Sequence, residues 1–443
     1  MKKPLPYLSI FKIILALVML ITATFVSKTS QAQIKFVTDS SRIETDSSYV
    51  IHQIDSNSAY QYDIADLFSS MFHPKRPKNL NKKRSGLTLM PGIALNPTIG
   101  AQIGIKGVAG VVLGDKSNTT MSTAASTASV TTKGIMVFYV SHNIYTRENK
   151  WNIQGGWAIV KMVNPDAGLG MTKTFSGETN DDILTNPNKD IFVYKYTSLS
   201  INEKLYKRVS NNLFLGAGFA FDIRRNIKSS SGNNDNPNYV YSKRYGFDPE
   251  QYNSNALLFN VQYMTRDNPN RAYKGIYTDV GIRMNQEWMG SSKNALQLTT
   301  DFRKYFSLSD ENPEHVLAFW NYGSYRISGR LPYLDLPGTA KDATARSGRG
   351  YTLGFFKGLS YFYNEVEYRF PILRNKFLSG ATFFNIQSTN NDMDSRLFQS
   401  WRAAGGAGLR VLFNKATRTN LCIDYAIGGY NRRGLFLGLN ESF

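Results

Sequence analysis

Between Arg346 and Ile372 the chain reads RSGRGYTLGFFKGLSYFYNEVEYRFPI. Tyr361, Tyr363, Glu365, Glu367 and Arg369 share one parity, and Phe362, Val366, Tyr368 and Phe370 share the other. Successive side chains of a strand point to opposite faces, so one face here carries three charges and the other is apolar. That is the pattern of a wall between water and a greasy medium. Arg349 stands in the Gly-rich stretch just upstream. A loop there can fold back on the charged face and pair its guanidinium with Glu367. This is ion-pair chemistry, and it has two readings: a staple that narrows a pore, or part of a working device.

Other chemistries find little support. Cys422 is the only cysteine, which rules out an intrachain disulfide, and no histidine lies near it. Its parity places it with Asp424, as a small residue looking into water. His52, His73, His142 and His315 are too scattered for a zinc cluster. There is no Gly-x-Ser-x-Gly elbow and no Ser/His/Asp grouping along one edge. The chain therefore reads as a non-enzyme, with no metal and no cofactor.

The elements that must position Arg349 and Glu367 follow from the same alternation. From Leu87 onward sixteen strands are expected, near 87–95, 99–114, 123–146, 151–162, 168–177, 190–206, 213–226, 254–266, 275–290, 295–306, 314–330, 359–371, 376–390, 400–412, 419–430 and 434–443. Leu213, Leu215, Ala217, Phe219, Phe221 and Ile223 share a face opposite Asp222 and Arg224, and Leu296, Leu298 and Phe302 oppose Gln297, Asp301 and Arg303. A soluble sandwich also alternates, but its strands are usually about 5 or 6 residues long. These segments are long enough to cross a bilayer at a tilt. With 26 Tyr and 27 Phe, the fold class is all-β, a transmembrane antiparallel barrel of sixteen strands. A mean hydropathy of −0.32 fits, because a barrel around water is polar on half of every strand.

The N-terminus supplies the export route. Lys2, Lys3 and Lys12 precede the apolar run Ile13 to Val26, and Ser30-Gln31-Ala32 follows, so residues 1–32 read as a signal peptide. Residues 33–86 form a short periplasmic leader. Within it Ile64, Leu67, Phe68, Met71 and Phe72 recur at helical spacing, predicting one amphipathic helix on or under the barrel mouth, with a lumenal plug as the sharper alternative. The run 75–84 is rich in Lys and Arg, either a solvated linker or a contact for lipid phosphates. Despite a net charge of +19, nucleic acid is a poor partner for an exported chain. If strands alternate up and down from a periplasmic N-terminus, the connections 227–253 and 331–358 fall outside and turns such as 373–375 and 414–417 fall inside.

With these residues in hand, the chain resembles the BamA/TamA, or bacterial surface antigen, barrels. In that family an Arg-Gly-Phe/Tyr loop tucks into the lumen beneath a strand carrying Glu-x-x-x-Pro. The matching positions are Arg349, Gly350 and Tyr351, with Glu367 to Pro371. Stretches 264–275, 323–332, 408–410 and 424–425 follow in the family's order, so the resemblance covers about residues 87–443. It implies that the loop arginine meets Glu367 and a Phe-x-Asp on the next strand. Here that element is Phe383, Phe384 and Asn385, which leaves one carboxylate missing and a hydrogen bond in its place. It also implies a C-terminal assembly signal, carried by Gly438 and by Phe443 on the lipid-facing parity of Leu435, Leu437 and Leu439, with Glu441 where an apolar residue is usual.

The leader is too short for even one polypeptide-transport-associated domain. Function by resemblance is assembly of proteins into the outer membrane of a Gram-negative bacterium, or translocation across it, through a lateral gate between first and last strands. The alternative is a passive pore or structural barrel. Expected partners are outer-membrane lipids, client proteins and assembly factors, with self-association left open.

Overall fold

The computed structural model describes residues 61–72, 87–96, 100–173, 192–229 and 236–443, all within one compact unit, 55–443. The expected signal peptide, most of the leader and the basic run lie outside the described residues. In chain order the elements are α1 (Ile64–Phe72), β1 (Leu87–Asn96), β2 (Gly100–Val111), β3 (Ser122–Thr131), β4 (Met136–Tyr145), β5 (Trp151–Asp166), β6 (Phe192–Ser210) and β7 (Leu213–Ser229). Then come α2 (Pro237–Tyr245), β8 (Tyr252–Asn253), β9 (Ala256–Met264), β10 (Gly275–Asn285), β11 (Ala295–Ser307), β12 (Val316–Gly329), β13 (Tyr361–Pro371), β14 (Leu378–Thr389), β15 (Arg402–Asn414), β16 (Thr419–Gly428) and β17 (Arg433–Leu439).

The strands form one antiparallel sheet in which each pairs with the next along the chain. The two-residue β8 pairs with β7 just beyond β9, so β8 and β9 make one interrupted crossing and sixteen strands cross in all. Side chains on the polar face meet across the interior: Tyr145 on β4 reaches the Met264 sulfur on β9, and Arg271 before β10 donates to Ser379 on β14 at 2.9 Å. The sheet is therefore curled around a lumen. Among the described residues no ladder joins β1 to β17.

The strand count agrees with expectation, but two differences cancel within it. The expected strand 123–146 is two, β3 and β4, reversed at 132–135 where Gly134 takes φ 83°. The expected strand 168–177 is absent from its described part: β5 runs on to Asp166, and Gly168 and Gly170 then adopt φ near 76° and 77° in a connection. Side-chain alternation within a low-bulk stretch such as 122–131 does not reveal where the chain turns back. The direction of every later strand is unchanged, so the connections 167–191, 230–251, 330–360 and 390–401 all leave the same end of the sheet.

At the opposite end sits α1. Asp63 and Asp66 cap each other's backbone N–H at 3.1 Å, which starts the helix. Lys415 in the β15–β16 turn pairs with Asp66 at 2.9 Å, and Tyr62 N–H donates to Asn375 O in the β13–β14 turn. The helix is tied to turns at the rim, the arrangement expected of one packed at the mouth.

The outward face is largely apolar, and polar groups on it pair with one another: Asn321 on β12 donates to Asn364 on β13 at 2.9 Å. Glu203 on β6 shares its parity with Leu199, Ile201 and the exposed Leu205, yet its carboxylate accepts from Trp157 Nε1 at 2.5 Å and lies 3.2 Å from His142 Nε2. It reaches β4 by lying across Gly155 on β5, where a side chain would displace it.

Candidate functional site in the lumen

The connection 330–360 does not stand away from the sheet but fills much of the lumen. Leu331, Tyr333, Leu334, Leu336 and Leu359 bury themselves against Tyr194, Tyr241 and Tyr252, and Tyr333 donates to Asp166 at 2.8 Å. Lys357 is paired with the same aspartate. Anchored at both ends, the loop carries Arg349 down to the charged face of β13.

Arg349 is buried and held by three carboxylates. Its Nη2 donates to Glu367 at 2.6 Å and also meets Glu365, and its Nη1 donates to Asp424 Oδ2 at 2.8 Å. The guanidinium lies flat on the Phe383 ring, 3.5 Å from the centroid, a cation–π contact. Asn385 donates to the Arg349 backbone carbonyl at 3.0 Å. Gly350 has φ 106°, and a Cβ there would lie 2.7 Å from that of Ala404. Only glycine takes that turn without strain. Tyr351 points away from the carboxylates: its hydroxyl donates to Ala403 O at 2.6 Å and accepts from Gly429 N–H at 2.7 Å.

The expected residues Arg349, Glu367, Phe383 and Asn385 are thus brought together, with two corrections. Asn385 does not replace a carboxylate beside the guanidinium, because its amide is used on the backbone. The missing acid is supplied twice over, by Glu365 and Asp424. Glu365 was legible as the neighbour of Glu367 on the same face. Asp424 lies 75 positions downstream of Arg349, and only its lumenal parity, shared with Cys422, pointed inward.

From this hub the ion pairs continue. Arg410 on β15 reaches Asp424, Glu367 at 3.4 Å and Glu441 at 2.7 Å, and Arg369 donates to Glu367 at 2.6 Å. Arg271 pairs with Glu314 at 3.1 Å and lies 3.7 Å from Glu441. No described group of His, Cys, Asp and Glu is arranged to hold a metal. Buried arginines and carboxylates bonded to one another in this way can position strands and a loop.

Glu441 accounts for the largest departure from expectation. Leu435 and Leu437 face outward, but β17 ends at Leu439 and Asn440 takes φ 67°, turning residues 440–443 into the lumen. Phe443 is buried between Trp320, 5.3 Å between centroids, and Tyr305, and its main-chain oxygen accepts from Arg369 at 2.8 Å. The outward parity expected for Phe443 fails because Glu441 finds three arginines inside and no partner outside. Gly438 leaves room for Arg346, whose guanidinium would be 3.0 Å from a Cβ there. Arg346 donates to the carbonyls of Leu439 at 2.7 Å and Asn440 at 3.0 Å, so the lumenal loop also holds the end of the last strand.

Comparison with known proteins places this geometry. The Omp85 superfamily domain matches residues 160–443. Among solved structures, BamA from Haemophilus ducreyi lacking POTRA domains 1–3 is similar with a TM-score of 0.50 at 15% identity, over 81% of this chain and 71% of that one. CdiB from Escherichia coli is similar with a TM-score of 0.52 at 6% identity, over 81% of this chain and 63% of that one, so the chain spans less than two thirds of it. At such identities the likeness is one of fold. No relative was found among curated proteins.

Proposed function

Because the chain belongs to the Omp85 superfamily, we propose that it is an outer-membrane barrel that inserts proteins into that membrane or passes them across it, by transient parting of its first and last strands. Residues 1–32 direct its export. Its partners are membrane lipids, client polypeptides and the assembly factors that deliver them.

One observation supports this reading above the others. The C-terminal end of the chain's last strand, at the α1 end of the sheet, pairs with β16 on one side and is held by the lumenal loop: Arg346 binds the carbonyls that end β17, while no ladder to β1 occurs among the described residues. Unpaired backbone in lipid costs several kcal/mol per group, so such an edge favours any strand that can pair with it. A client strand supplies those hydrogen bonds. The step needs no hydrolysis and no cofactor, since binding at the edge drives it.

A passive pore is the second reading, favoured by a cavity of about 480 Å³ with many charged lining residues beside the loop. Depletion in cells separates the two. Assembly or translocation predicts that other barrels, or exported polypeptides, fall in the outer-membrane fraction as this chain is depleted. Unchanged levels together with a loss of ion conductance would instead establish the pore.

A further inference from the structure

That cavity lies apart from the Arg349 hub, between β4–β12 and the underside of the lumenal loop, where Leu331, Asp335 and Lys341 roof it. Its charged lining is unbalanced. The cations are Lys204, Arg224, Arg266, Arg283, Arg303 and Lys341, against Asp222, Asp279, Asp301 and Asp335. Three of the acids are each taken by an arginine: Asp335 by Arg224, Asp222 by Arg283 at 2.8 Å and Asp301 by Arg303 at 2.6 Å. Asp279 is satisfied by neutral donors, Tyr206 at 2.6 Å, Gln262 at 3.0 Å and Asn260.

Lys204, Arg266 and Lys341 are left over. Among the described residues none has a carboxylate within ion-pair distance. Lys204 sits over the Tyr206 ring at 5.4 Å and Arg266 over the Tyr277 ring at 4.5 Å, while Lys341 donates to the Leu334 carbonyl. The Arg266 Nε is buried with no hydrogen-bond partner. A buried donor left unmade costs about 1–3 kcal/mol, more when charged, so its retention needs a reason.

We infer that this chamber binds a small anion bearing phosphate groups. Cationic side chains in a confined, low-dielectric space concentrate anions, as rings of Arg and Lys do in anion and phosphate pores. The volume falls within the range of small-molecule sites, roughly 300–1,000 Å³. Asn143, Gln154 and Asn202 add neutral amides on one wall, suited to hydroxyls carried by the same ligand. The inference stands whether the barrel assembles proteins or acts as a pore.

The test is titration calorimetry of the full chain in nanodiscs of zwitterionic lipid, with inorganic pyrophosphate as the probe. Saturable binding is expected in the wild type, weakened about tenfold or more in the Lys204→Gln/Arg266→Gln double variant, as losing two nearby charges implies. The charge-conserving Lys204→Arg/Arg266→Lys variant should retain it. Should the neutralised variant fail to migrate as folded on an unheated gel, protection of wild-type Lys204 and Lys341 from acylation by pyrophosphate gives the same answer. No saturable binding to folded wild type, equal affinity in the folded neutral variant, or absence of protection overturns the inference.

Discussion

Arg349 and Asp424 meet at 2.8 Å in the lumen, one on the loop before β13 and the other on β16. The contact ties the loop to the last strand pair, and Glu365 and Glu367 tie it to β13. Removing the guanidinium leaves three buried carboxylates without their shared partner. Breaking a buried pair from one side costs about 3–5 kcal/mol. Arg349→Ala should therefore release the loop to added protease and lower the temperature at which the gel-shifted folded band is lost. Arg349→Lys should fall between, since an ammonium cannot reproduce the planar fork. Asp424→Asn should cost less than Arg349→Ala, because Glu365 and Glu367 stay in place.

Phe443 is in the lumen, and its removal has a local reporter in Trp320, 5.3 Å away. Phe443→Ala should shift the tryptophan emission to longer wavelength as water enters, and should cost about 3–5 kcal/mol, as for other buried Phe truncations. Glu441→Gln should give a smaller shift in the same direction by loosening the turn that brings residue 443 inward. An unchanged spectrum for Phe443→Ala would place the residue on the lipid side after all.

His142 and Glu203 face lipid, where a charged side chain is costly, by about 2–4 kcal/mol for Arg or Lys at the midplane and less for Asp or Glu. Their pairing offsets that cost, so the two substitutions should not add. His142→Leu alone should destabilise by about 1–2 kcal/mol, because it leaves the carboxylate with Trp157 only. His142→Leu/Glu203→Leu should recover most of the loss, since replacing both partners of a hydrogen-bonded pair by apolar groups is close to neutral. Urea midpoints of the four proteins in one lipid complete the cycle.

Lys173, in the connection after β5, is buried against Phe355 and Phe356, and its ammonium donates to the Ala167 and Gly168 carbonyls. Burial outweighs the nearby Asp166 and, with Lys357 also opposing the charge, brings its pKa down from 10.5 to about 7. Between those values the unfolded chain holds a proton that the folded chain lacks, so stability rises with pH. Below about 7 both states are protonated and the burial penalty is felt in full. The wild type should gain more thermal stability between about pH 7 and about pH 9 than Lys173→Met, which has no proton to lose there.

The walls of this protein were legible because lipid and water impose a period of two, which Leu213 to Ile223 obeys throughout and Tyr361 to Phe370 obeys except at Asn364. The turn between β3 and β4 was not, since Ser, Thr and Ala on both faces give alternation nothing to mark. Of the centre, Arg349 and Glu367 could be paired because they lie on one loop and the strand that follows it. Asp424 and Glu441 join them only through the curl of the sheet, which sets neighbours that no spacing in the chain records. Phe443 misled because parity assumes a strand that continues, and three arginines inside the lumen turn this one at Asn440.

The central claim is that an arginine-locked loop governs the edge of a barrel that handles other polypeptides. The most direct measurement is quantitative proteomics of the outer-membrane and exported fractions in cells whose only copy of the chain is wild type, Arg346→Ala or Arg349→Ala, each produced to the same folded level. The account predicts that a defined set of barrels or exported proteins falls in both variants while the variants themselves remain folded in the membrane. Profiles indistinguishable from wild type at equal folded abundance would contradict it.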